Sequence, residues 1–86
     1  MENNIYKELE SLGYIIQKPN KDKTYYFVKQ EIGKTTQIFL KTKGKNQSCA
    51  EIEVISNYKK SNLNNKEMSA LESLLSSLGV VQYEFV

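Results

Sequence analysis

The sequence predicts an α+β domain: an antiparallel β-meander of three to four strands with two helices packed on one face, in the order α-β-β-β-β-α. Three observations carry this. Strand-like alternation fills the middle of the chain, helical apolar spacing stands at each end, and glycine follows each helical stretch. Eighty-six residues make a single domain, residues 1–86, because a chain this short buries too little surface for two cores.

Ile5, Leu9 and Leu12 recur at spacings of four and three before Gly13, which predicts a first helix over residues 3–12. Residues 14–18 form a short strand, and Pro19-Asn20-Lys21-Asp22 supplies a turn. Residues 24–29 are dense in aromatic and β-branched side chains. Ile32-Gly33-Lys34 turns the chain, and residues 35–41 resume the strand pattern, giving the clearest hairpin. After a polar loop over 42–48, residues 49–55 alternate Ala50, Ile52 and Val54 against Glu51 and Glu53, as a sheet with one wet face requires. Residues 56–62 read as a second polar loop. Asn64 and Glu67 then form an N-cap signal for a helix carrying Met68, Leu71, Leu74, Leu75 and Leu78, stopped by Gly79. The tail, residues 80–86, suits a last strand or a docked extended or helical segment, the strand being preferred. Leu9-Glu10-Ser11-Leu12-Gly13 and Leu75-Ser76-Ser77-Leu78-Gly79 echo each other as two copies of one helix-ending solution.

Composition narrows the chemistry. The chain has no histidine, so serine and cysteine triads and histidine metal sites are excluded, and no metal or cofactor is expected. The single Cys49 suits a reducing compartment and reads as a small strand residue. Glu51 and Glu53, two apart on one strand face, form an acidic pair of the kind glycosidases and magnesium-dependent nucleases use, but strand alternation alone accounts for them, and no enzymatic role is expected. No apolar run is long enough to cross a bilayer and the N-terminus lacks a signal-peptide pattern, so the expected address is the cytoplasm.

The net charge of +2 hides an uneven distribution: Lys18, Lys21, Lys23, Lys29, Lys34, Lys41, Lys43 and Lys45 crowd the middle against only Asp22 and Glu31. Tyr25, Phe27 and Lys29 share one face of the second strand, while Phe39 and Lys41 share one face of the third. Aromatics interleaved with lysines on an exposed sheet face are what RNA binders use to stack bases and contact phosphate. All twelve basic residues are lysine, which weakens bidentate readout of bases. The leading expectation is therefore a non-catalytic module binding nucleic acid, RNA foremost, through these eight lysines with Tyr25, Phe27 and Phe39.

Tyr6-Lys7-Glu8-Leu9-Glu10-Ser11-Leu12-Gly13-Tyr14-Ile15-Ile16, then Thr24-Tyr25-Tyr26-Phe27-Val28, then the helix opened by residues 63–68 and ended by Leu78-Gly79-Val80, resemble the HicA-type toxins of bacterial toxin–antitoxin systems. The resemblance implies a double-stranded-RNA-binding-domain-like fold. The family's catalytic histidine falls near Tyr25, where nothing replaces it, so mRNA cleavage is carried over to no residue. The alternative expectation is a stoichiometric protein-binding regulator: a phage or mobile-element inhibitor of a host defence complex, or a dead toxin relative that titrates an antitoxin. The edge offered by residues 80–86 also suits pairing between two copies into a homodimer.

Overall fold

The computed structural model describes residues 4–17 and 24–86. Helix α1 (Lys7–Ser11) leads into β1 (Ile15–Gln17), β2 (Thr24–Glu31), β3 (Lys34–Lys43), a 3-10 turn (Lys45–Gln47), β4 (Cys49–Ser56), β5 (Lys59–Lys60), helix α2 (Asn65–Leu78) and β6 (Gln82–Phe85). The result is an α+β fold. Its mixed sheet runs β1-β2-β3-β4-β5 with antiparallel neighbours, and β6 pairs with β4 in parallel. The turn expected at residues 19–22 lies outside the described residues.

Cross-strand register decides which side chains share the core. Ile16, Phe27, Ile38 and Val54 stand in one row across β1 to β4, and Tyr25, Leu40 and Ile52 in the next. Partners in a ladder point to the same face, so these rows make a continuous apolar surface. Leu9 of α1 and Leu71, Leu74 and Leu75 of α2 cover it, and Phe27, Ile38, Leu40 and Ile52 are completely buried.

The sheet exceeds the expected three to four strands for two reasons. Asn57 and Tyr58 both adopt positive φ, 49° and 69°, so the predicted loop is a tight type I′-like reversal that returns β5 along β4. The tail then forms β6. Fourteen-residue α2, about 21 Å long, carries the chain back past β4, so β6 enters beside the start of β4 and runs with it. Val81 and Gln82 N–H groups both donate to the Ser48 carbonyl and Val86 N–H to that of Ile52. Gln82, Glu84 and Val86 therefore face β4, and the backbone groups of Tyr83 and Phe85 point to the outer edge.

Both helices end alike. Gly13 and Gly79 take left-handed φ of 99° and 85°. Tyr14 N–H donates to the Leu9 carbonyl at 3.1 Å and Val80 N–H to that of Leu75 at 2.9 Å. Each closure delivers a buried residue, Tyr14 or Val80, into the core. The first helix is shorter than predicted because the Asn4 Oδ1 accepts the Tyr6 N–H at 3.0 Å, a local turn that competes with helix at Ile5 and Tyr6.

Candidate binding face

The helices cover one face of the sheet, and the other is open. On the open face β1 sets Gln17 beside Tyr26 of β2, Phe39 of β3 and Glu53 of β4. Ile15, Val28, Gln37, Ile55 and Lys60 form the adjoining row. The Tyr26 and Phe39 rings lie 5.0 Å apart at 40°, and the Gln37 Nε2 donates to the Tyr26 Oη at 2.7 Å, which fixes the tyrosine's rotamer. Tyr26, Val28, Phe39 and Ile55 are half-buried and Ile15 is exposed.

The charged row on this face is mixed. Lys41, Glu51 and Glu84 stand side by side, and the Lys43 Nζ lies 3.2 Å from a Glu51 carboxylate oxygen. Glu51 thus serves as a partner to lysine. Among the described residues, no three acidic or cysteine side chains gather as a metal ion needs.

The expected stacking surface is corrected here. Tyr25 and Phe27 are 7% and 0% exposed, because the face they share packs against the helices. They are core residues, unavailable to a base. Phe39 occupies the opposite face, where its ring partner is Tyr26. Lys29, on the core face with Tyr25 and Phe27, turns its ammonium inward: Nζ donates to the Glu67 Oε2 at 2.6 Å and stands 5.1 Å from the centre of the Tyr14 ring. Lys34 lies at the β2–β3 turn, Lys41 and Lys43 on the open face and Lys45 in the 3-10 turn. Lys18, Lys21 and Lys23 lie outside the described residues.

Glu67 is the residue whose part the sequence understated. Its Oε1 completes the capping box by accepting the Asn64 N–H at 3.1 Å, while Asn64 Oδ1 accepts the Glu67 N–H at 2.8 Å. Its Oε2 accepts from Lys29 and, at 2.6 Å, from the Tyr14 hydroxyl. Burial pushes its carboxyl up, but the hydrogen bonds from Lys29 and Tyr14 outweigh burial and hold it below the usual range. Burial likewise opposes the charge on Lys29, and the bond to Glu67 outweighs it and raises the ammonium's pKa. Tyr14 is raised by burial and then by its bond to Glu67. The capping signal was visible in Asn64 and Glu67, but nothing local announces partners 38 and 53 residues away. Among the described residues, every buried side-chain nitrogen or oxygen has a partner, so this cluster is a finished internal staple.

Fold and face define an α+β domain with one covered and one open sheet surface. No family model, curated protein or solved structure matches the chain. No helix among the described residues is long and apolar enough to cross a membrane.

Proposed function

We propose that this chain is a non-catalytic protein-binding domain, a stoichiometric regulator directed at a host complex or an antitoxin, with the open sheet face as its contact surface. The observation that supports it is the Tyr26–Phe39 ring pair, set among Val28, Ile15 and Ile55 and rimmed by charges of both signs. Protein interfaces combine such aromatic centres with polar rims. A nucleic-acid track calls for unopposed cations, whereas Lys29 is spent in the core and Lys43 pairs with Glu51. RNA binding is the competing reading, resting on Phe39, Tyr26 and Lys41, which share the open face.

Affinity capture from a bacterial lysate separates the two. The expected result is one protein at fixed stoichiometry, lost when Tyr26 and Phe39 are both changed to Ser. Enrichment of nucleic acid alone, with affinity for a fluorescent RNA falling steeply as salt rises, overturns the proposal.

Self-association is a second reading, supported by the outward backbone groups of Tyr83 and Phe85. Its test is sedimentation across a range of concentrations. Phe85→Pro removes an outward N–H and leaves the bonds to β4 in place, so it should abolish any dimer.

A further inference from the structure

Ile32 and Tyr58 occupy the tips of two neighbouring turns, and both are essentially fully exposed. Ile32 sits between Glu31 and Lys34, the last paired residues of the β2–β3 hairpin. Tyr58 sits between β4 and β5 with φ 69°, a position where glycine is the unstrained choice. Asn57 locks the two turns together. Its Nδ2 donates to the Gly33 carbonyl at 3.1 Å, its Oδ1 accepts the Thr35 N–H at 2.9 Å, and its own N–H donates to the Thr35 carbonyl at 3.1 Å. Packing explains neither apolar side chain, since each projects into solvent. Strain kept at an exposed position points outward, to something bound.

We propose that Ile32 and Tyr58 are a preorganised pair of anchors for a protein partner, entering two adjacent apolar pockets framed by carboxylates. Lys34, Lys59 and Lys60 are exposed around the tips and make no ion pair among the described residues, which selects an acidic rim. Glu31, the acidic neighbour, is engaged with Lys29 at 3.6 Å. The Asn57 clamp argues for pockets over a lipid surface, because a fluid bilayer gains nothing from a fixed spacing between two knobs, whereas rigid anchors lose little entropy on docking. The inference rests on the protein-binding reading and adds a second contact at the end of the sheet.

The test uses the partner captured by the wild-type chain, purified and titrated against two variants. Tyr58→Gly relieves the strained φ, so it should melt higher than wild type yet bind about tenfold more weakly. Ile32→Ser should melt unchanged and lose a similar factor. Affinity should also fall as salt rises, and the fall should flatten in a Lys59→Gln, Lys60→Gln variant. Unchanged affinity in both tip variants overturns the anchors while leaving the protein-binding reading intact. A wild-type chain that captures no protein sinks both. Binding to vesicles of phosphatidylcholine and phosphatidylserine that is lost in the tip variants also overturns the anchors, by making the tip a lipid contact.

Discussion

The Oε2 of Glu67 lies 2.6 Å from the Nζ of Lys29, in a site where both side chains are largely buried. Lys29 stands on the core face of β2, in line with Thr36 and Ser56, where the apolar surface gives way to polar residues. Glu67 reaches it from the first turn of α2, and Tyr14, delivered by the turn after α1, donates to the same oxygen. One carboxylate thereby joins both helices to the sheet.

Removing the Glu67 charge should leave the largely buried Lys29 ammonium with only the more exposed Glu31, 3.6 Å away, as an ion-pair partner. Glu67→Gln retains the oxygen that completes the capping box but puts an amide NH2 where Oε2 accepts from Lys29 and Tyr14, so it removes the ion pair and the tyrosine's bond together. We expect a loss of about 3 kcal/mol in urea unfolding. The double variant Lys29→Met, Glu67→Gln should recover part of that loss, and a purely additive double variant would refute the coupling.

The same groups fix the pH dependence. Glu67 has a depressed pKa in the fold, so its contribution is complete above the unfolded value of about 4.3 and is lost as pH falls through the lower folded value. Lys29 and Tyr14 are both raised. Their contributions are complete below unfolded values of about 10 and are lost as pH rises beyond them. Thermal melts should therefore show a plateau between these limits, and Glu67→Gln should flatten the acid limb.

Two phenylalanines of adjacent strands should differ sharply. Phe27→Ala empties a fully buried site and should cost about 3–5 kcal/mol. Phe39→Ala removes a half-buried ring whose main partner is Tyr26 and should cost about 1 kcal/mol. Equal losses in denaturant titrations would contradict the assignment of covered and open faces.

Gly79→Ala tests the helix closure. A Cβ there meets no atom within 4 Å, so the loss reports the left-handed φ alone and should be about 1 kcal/mol. Gly79→Asn should be milder, and thermal melts rank the two.

Much of the fold was legible because its signals are local. The alternation of Ala50, Ile52 and Val54 against Glu51 and Glu53 marked β4 and both its faces. Asn64 with Glu67 marked the start of α2, and Gly13 and Gly79 marked two equivalent ends. The site was less legible. Tyr25 and Phe27 alternate with Tyr26 and Val28, all of them apolar or aromatic, so β2 shows period two without showing which side is wet. The reversal at Asn57 and Tyr58 was hidden because it uses tyrosine where glycine usually gives the signal.

The sequence by itself determined the α+β class, the strand and helix periods, the helix caps and the exclusion of histidine chemistry, since each follows from residue types at short spacing. Only the tertiary structure decided which aromatic face the helices cover, that Lys29 turns inward to Glu67, that β6 runs parallel to β4, and that the turns bearing Ile32 and Tyr58 lie side by side. Those outcomes depend on contacts between residues distant in the chain, and burial is a property of the assembled layers.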